Sequence, residues 1–436
     1  MKTGRALALF ICAVMAFCLC GCDTFTVDTE KLISPPELTG SMYPIGKALS
    51  ESVRGEYQLK YPQFGEYRSA IILKDIDGDK TPEAFAFYST AGDEMTNMHI
   101  NAIRQNGDEY KSVSEQTVVA GGVERVEFCD LDGDGISEII VGWEVYGVSE
   151  KQLCVYSLNR DNMAVMLSEK YTGFLNCDLT GNGREELFVN VLDTANFSNT
   201  AELYGFSGGA AQKLGSCALD PAVKTALTPT LSKLTTGQDA VFIDEIKGAG
   251  AVTEVVYFAG GELKNPLYEE ENNEGSRTLR AAAILSSDID SDLALEIPVA
   301  KELPNAAGTD EQLFYTDWCG FDGVNLIVKR ITIVNSIDGY YLEIPQNLVG
   351  KIAVLKDIDN HRRVIYGYDA ETGEISERLA TVAVIYAGDW DSDDYDRSGM
   401  FELARRGDAV FAGAVNPAAA GALTEEALAE MFKLTQ

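Results

Sequence analysis

The sequence predicts a mainly β protein that ends in a small α+β segment. Three observations predict this. An oxygen-rich nonapeptide recurs four times along the chain. Each copy is followed by a short apolar run bounded by turn residues, the pattern of a β-strand. From about residue 331 the acidic nonapeptide gives way to plain strand runs: 331–334, 340–344, 351–355, 363–368 and 380–386, with a sixth at 409–413. Asp369 to Gly373 reads as a hairpin turn. Thr424 then opens a closing helix with Leu428, Met431 and Phe432 on one face. Hydrophobic residues make up 46% of the 436, enough to bury a core, so a wholly disordered acidic chain is excluded.

The four nonapeptides align without gaps. Positions 1, 3, 5 and 9 carry oxygen side chains: Asp75, Asp77, Asp79 and Glu83; Asp130, Asp132, Asp134 and Glu138; Asp178, Thr180, Asn182 and Glu186; Asp288, Asp290, Asp292 and Glu296. Position 7 (Thr81, Ile136, Arg184 or Ala294) would offer its backbone carbonyl. Such sets suit calcium, which takes six to eight oxygens in a flexible shell; magnesium demands a stricter octahedron. Without a cation, carboxylates crowded this closely disfavour joint ionisation. The loops are not EF-hands, because position 12 is Ala86, Val141, Val189 or Val299, inside the following strand. Lys80 and Leu293 replace the position-6 glycine, a strained choice if that position needs a positive φ. First positions are spaced by 55, 48 and 110 residues, and the last gap predicts a degenerate copy between the third and fourth. Ala240 to Asp244 reads as its strand, with no oxygen ligands behind it.

Asp-x-Asp-Gly-Asp-Gly-x-x-Glu followed by an apolar strand resembles the FG-GAP/VCBS-type repeats of integrin-α-like β-propellers. The resemblance implies a β-propeller of six or seven four-stranded blades over residues 39–330, closed into a ring. Each acidic loop would join two strands of a blade, and up to four calcium ions would be bound. Residues 331–436 are then the small α+β domain.

Lys2 and Arg5 precede a fifteen-residue apolar stretch, Ala6 to Cys20, too short for a comfortable membrane span. Leu19-Cys20-Gly21-Cys22 resembles the bacterial lipobox. That resemblance implies a signal peptide at 1–21, a diacylglycerol-bearing Cys22, a lipidated tether over 22–38 and display on the outer face of the cytoplasmic membrane. Contact with the membrane would be through this lipid only. Removing 1–21 takes away two cations and no acid, so the net charge moves from -33 to -35. That acid excess argues against nucleic acid as a partner. Cys129, Cys154, Cys177, Cys217 and Cys319 remain besides Cys22, an odd set that implies no disulfide framework.

His99 and His361 are the only histidines, and neither lies in a motif that would make it a base. The acidic stretches at Asp357 and Asp359 and at Asp389 to Asp393 fail the ligand count and read as solvated loops. The sequence therefore points to a non-enzymatic, calcium-stabilised binding module that meets an unknown protein or glycan at the cell envelope. The alternatives are a glycan-active hydrolase or lyase on the same scaffold, and a structural envelope-assembly lipoprotein.

Overall fold

The computed structural model describes residues 42–92, 96–107, 109–145, 151–268, 277–309, 311–419 and 421–435. The expected signal, Cys22 and the tether at 22–38 lie outside the described residues. No helix among those described is long and apolar enough to cross a membrane.

The chain folds as six successive antiparallel sheets, a β-propeller type of architecture. The six or seven blades expected over residues 39–330 are not all there: four sheets lie wholly within that stretch, the fifth straddles its end and the sixth lies beyond it. In the first sheet, β1 (Tyr57–Leu59) and β2 (Ile71–Lys74) share one edge of β3 (Glu83–Thr90), which continues to β4 (Met98–Asn106) and β5 (Glu109–Val118). The second sheet runs β6 (Gly122–Cys129), β7 (Glu138–Glu144), β8 (Lys151–Asn159) and β9 (Asn162–Tyr171). The third runs β10 (Gly173–Cys177), β11 (Glu186–Asp193), β12 (Ser198–Ser207) and β13 (Ala210–Ala218). In the fourth, β14 (Thr225–Ala226) and β15 (Thr230–Lys233) share the edge of β16 (Asp239–Lys247), followed by β17 (Gly250–Ala259) and β18 (Glu262–Lys264).

The fifth sheet is β19 (Ile297–Leu303), β20 (Leu313–Phe321), β21 (Leu326–Asn335), β22 (Tyr340–Glu343) and the C-terminal β28 (Phe432–Leu434). The sixth orders β23 (Ile352–Asp357), β24 (Arg362–Tyr368), β25 (Ile375–Tyr386), β27 (Ala409–Val415) and β26 (Phe401–Arg406). The expected boundary at 330/331 falls inside β21. The plain strands after it are shared between two sheets, because β28 returns to pair with β22.

The strands after the first three acidic loops are mostly apolar and buried because both their faces are covered. Phe85 and Phe87 of β3 pack toward the second sheet with Ile139, Val141 and Trp143 of β7. Ile140 of β7 turns the other way, toward Leu187 and Val189 of β11. Further cores join the third sheet to the fourth, the fourth to the fifth and the fifth to the sixth.

Two helical segments cover the outer faces of the series. In α1 (Tyr43–Ser52), Ile45, Ala48 and Leu49 follow helical spacing and lie against Ile71, Ala84, Ala86 and Tyr88 of the first sheet. At the other end, α2 (Ala387–Trp390) seats Trp390 on Val410 and Ala412 of β27. No core cluster among the described residues joins the sixth sheet to the first. The predicted closing helix is present as α3 (Glu425–Met431). The Ala427 N–H donates to Thr424 Oγ1 at 3.0 Å, and Leu428 and Met431 are buried between the fifth and sixth sheets.

Candidate metal centre

All four nonapeptides adopt one backbone shape. Positions 4 and 6 have positive φ in every copy, from 64° at Ser291 to 90° at Gly135. Lys80 and Leu293 adopt it without glycine's freedom, at φ 74° and 71°. Left-handed backbone costs a residue with a Cβ roughly 1–2 kcal/mol, a cost that the hydrogen bonds within the loop offset. The position-1 carboxylate gathers the turn: Asp130 accepts the N–H groups of Gly133 (2.8 Å), Asp134 (3.2 Å) and Gly135 (3.0 Å). Asp75, Asp178 and Asp288 each accept two N–H groups of their loops, one of them from position 6. The position-5 side chain accepts from the N–H of position 7, as Asp134 does from Ile136 at 2.8 Å.

At position 9 the glutamate folds back under the loop. One oxygen, Oε2, accepts the N–H of position 2: Ile76 on Glu83, Leu131 on Glu138, Leu179 on Glu186 and Ile289 on Glu296. The first three of those position-2 side chains are buried in the cores between sheets. Each loop therefore also fastens one sheet to the next, and the Ser137 N–H bonds across to Ile76 O at 2.8 Å.

The loops differ in what the other oxygen, Oε1, meets. In the first loop the Arg104 guanidinium of β4 lies 3.2 Å from Glu83 Oε1 and 3.3 Å from Asp77 Oδ2. In the third, Thr180 Oγ1 and Asn182 Nδ2 both donate to Glu186 Oε1, at 2.6 and 2.8 Å. In the fourth, the Lys329 ammonium stands 2.7 Å from Glu296 Oε1, 2.6 Å from Asp292 and 3.8 Å from Asp290. No lysine or arginine among the described residues forms an ion pair with the second loop. Asp132 Oδ1 is buried there without a hydrogen-bond partner.

Register shows why. The residue facing the start of the second strand is followed by Arg104 in the first sheet, Ser157 in the second, Gly205 in the third and Gly320 in the fifth. All four sheets also carry a bulge opposite that point, whose extra residue is Val113, Met166, Leu214 or Lys329. Bulges re-aim side chains. Three of these are apolar and pack into cores, whereas Lys329 reaches the fourth loop. A Cβ on Gly320 would stand 3.2 Å from Lys329 Cε, so the glycine leaves the lysine its path.

Three carboxylate sets could hold a metal ion: Asp75, Asp77 and Glu83; Asp130, Asp132 and Glu138; Asp288, Asp290 and Glu296. Within each set the oxygens lie within 4.8 Å of one another. The third loop, also expected to bind, is not among these sets: its ligand positions hold only two carboxylates, Asp178 and Glu186, and its Thr180 hydroxyl and Asn182 amide donate to Glu186. At the second loop, burial, and then the charges of Asp132 and Asp134, push Glu138 up to about 7. Burial also raises Glu83 and Glu296, against the lowering effect of Arg104 and Lys329. Burial works against the Lys329 ammonium, but Asp292 and Glu296 hold it well above the ordinary lysine value. The second loop borders a cleft of about 360 Å³ lined by Asp132, Asp134, Ile136, Glu138, Ser157 and the Gly208–Gly209 turn of the third sheet.

The predicted degenerate copy is the fourth sheet. Ala240 to Asp244 lies in β16 as expected, and a short turn, Leu234 to Gln238, replaces the acidic loop. In the fifth sheet the strand before the loop shrinks to a single bridge, Ser287 to Glu296. His99 pairs with Glu115 at 2.7 Å and stacks on Tyr88, and His361 pairs with Asp338 at 2.6 Å. The two acidic stretches set aside from the sequence serve local contacts: Asp357 binds Asn360 and Arg362, and Asp391 binds Arg405. The five cysteines described are free thiols, and burial pushes Cys129 and Cys177 up to about 12. A further acidic pair, Glu245 and Glu254, is wholly enclosed between the third and fourth sheets. Asn199 donates to Glu245 (2.7 Å) and the Asp220 N–H to Glu254 (3.0 Å).

No family model matches the sequence, and no curated protein matches it. Among solved structures the chain is similar to an exotype rhamnogalacturonan lyase at 11% identity and a TM-score of 0.31, covering 73% of this chain and 84% of that one. It is similar to a Bacillus licheniformis rhamnogalacturonan lyase at 14% and 0.33, covering 72% and 69%. The Pseudomonas aeruginosa periplasmic gluconolactonase aligns at 12% and 0.29, covering 73% and 86%. Likenesses of this strength carry no argument about activity or site residues.

Proposed function

We propose that this chain is an exported lipoprotein whose β-propeller, stabilised by calcium, displays a non-enzymatic binding face at the cell envelope. One observation carries the metal part: the second loop brings Asp130, Asp132 and Glu138 together, and no lysine or arginine among the described residues forms an ion pair with them, the Arg184 guanidinium lying only against Gly133, whereas the first and fourth loops enclose Arg104 and Lys329. Like charges less than 5 Å apart repel by roughly 3–4 kcal/mol per pair at an effective dielectric near 20. A divalent cation in the second loop reverses that term. Asp130, Asp132, Asp134, the Ile136 carbonyl and Glu138 would hold it, and water from the cleft would complete the shell. Because Leu131 and Ser137 tie this loop into neighbouring sheets, the ion would stabilise the packing of sheets rather than perform chemistry.

The envelope location rests on the lipobox-like Leu19-Cys20-Gly21-Cys22. Two acyl chains on Cys22 would anchor the protein stably, at about 0.8 kcal/mol per buried methylene. The partner would be a protein or glycan of the envelope. For an enzyme on this scaffold the most perturbed acid pair is Glu245 and Glu254, but both are fully buried, which favours a structural role.

Calcium titrated into chelator-stripped protein is expected to raise Tm, with Asp132→Asn plus Asp134→Asn removing most of the rise. An unchanged Tm in the parent protein sinks the metal reading. Cys22→Ser is expected to move the protein from the membrane fraction to the soluble one; continued membrane retention contradicts lipid anchoring.

A further inference from the structure

Between the fifth and sixth sheets lies a cleft of about 300 Å³ with apolar walls that include Leu303, Phe314 and Ile333. Two cations of neighbouring strands border it, Lys356 of β23 and Arg363 of β24, which are register partners. Arg363 is only 6% exposed. Its guanidinium donates to two neutral oxygens, Arg362 O and Asn335 Oδ1, each at 3.2 Å, and no carboxylate among the described residues pairs with it. The nearest acid in its network, Asp338, is one step removed and is engaged by Asn335 and His361. Glu311 holds Lys356 at the exposed rim, at 2.9 Å.

A buried charge without a counter-charge is costly unless something supplies one. In a chain of net charge -33, a sheltered guanidinium that lacks an acidic partner is out of keeping with the rest of the surface. Its planar fork matches a carboxylate bidentately. Apolar walls with a few convergent polar groups are the usual make-up of a small-molecule site.

We propose that this cleft binds a small organic carboxylate with an apolar body. The acid would pair with Arg363, the Thr316 hydroxyl would stand beside it, and the apolar part would lie against Phe314 and Ile333. This site is separate from the metal loops and does not depend on them.

Benzoate and its neutral isostere benzamide test the proposal, by ligand-observed NMR and by thermal shift on the full chain. For a ligand of this size the expected benzoate Kd is roughly millimolar, with benzamide at least tenfold weaker. Arg363→Met is expected to abolish the preference for benzoate, Arg363→Lys to keep part of it, and Lys356→Met to weaken it by a few-fold. Arg363→Met is also expected to leave Tm of the free protein unchanged or higher, since it removes an uncompensated charge; benzoate is expected to raise Tm only where Arg363 is present. Equal binding of the two probes, benzoate binding unaffected by Arg363→Met, or no saturable binding well above millimolar concentration overturns the proposal. Asp132→Asn plus Asp134→Asn is the control: loss of benzoate binding in that protein would contradict the independence of the two sites.

Discussion

The second and fourth acidic loops share a backbone and differ in their cation. Both carry aspartate at positions 1, 3 and 5 and glutamate at position 9, and both fold the glutamate under the turn. In the fourth, a bulge in β21 sends Lys329 into the ligand set. In the second, the bulge residue is Met166, which packs in the core, and the position that supplies Arg104 in the first sheet is Ser157. The difference teaches that an acidic loop and a cation are separable parts. The loop shape is encoded locally, while the entry of a cationic side chain into the ligand set is decided by one residue on a strand more than fifteen positions away.

The largest expected effect comes from removing the internal cation. Lys329→Met leaves the fully buried Glu296 without its partner, and breaking such a pair costs about 2–3 kcal/mol where one side is partly solvated. Chemical denaturation without calcium should show this loss, and calcium should restore much of it by occupying the vacated ligand set. A loss that calcium does not restore would mean that the fourth loop cannot take a metal even when freed.

Next in size is the calcium response of the unaltered protein. Ligand at a hundred times Kd stabilises by about 2.7 kcal/mol, and the rise in Tm should be larger at pH 8 than at pH 6. The sign follows from Glu138, which burial pushes up to about 7. In the metal-free protein its contribution to stability is fully present below the ordinary carboxylate value and is lost as pH rises through 7. The ionised form is the one that binds the ion. An opposite pH trend would place the response elsewhere. Ser157→Arg then tests the comparison in reverse: transplanting the Arg104 arrangement should weaken the calcium response several-fold in a thermal titration.

Glu245 and Glu254 supply a pH effect remote from any metal. Burial, the largest cause, pushes Glu245 up to about 8, and burial together with the Glu245 charge raises Glu254 well above its ordinary value. Stability should therefore fall as pH rises from about 4.5 through 8, and Glu245→Gln plus Glu254→Gln should flatten the decline in Tm. The smallest effect is at the loop tip. Leu293 is 90% exposed with φ 71°, and Leu293→Gly should stabilise by about 0.5–1 kcal/mol in denaturant melts by relieving the left-handed backbone.

Much of this was legible in the sequence. The nonapeptide spacing located all four loops, and the condition under which Lys80 and Leu293 would be strained, a positive φ, is met. Ala240 to Asp244 marked the sheet that lost its loop. The strand runs after 331 matched β21 to β25 and β27. Their grouping was not legible, because β28 returns across about ninety residues to pair with β22, a long-range contact that leaves no local pattern. The helix α1 was also missed: it is short, polar on its outer face and recognisable only by the sheet it covers. Arg104 and Lys329 escaped because charged residues toward the end of a strand read as solvated, although both lie on interior strands. Aligning the four repeats past their glutamates would have shown the lysine where the others hold valine, methionine or leucine.

The most direct test of the account is the calcium content of the chain at equilibrium, measured by elemental mass spectrometry after dialysis against micromolar free calcium. One ion per chain is expected for the parent protein, none for Asp132→Asn plus Asp134→Asn, and two for Lys329→Met. Zero in the parent protein, or three ions without any change at Lys329 or Arg104, would contradict it.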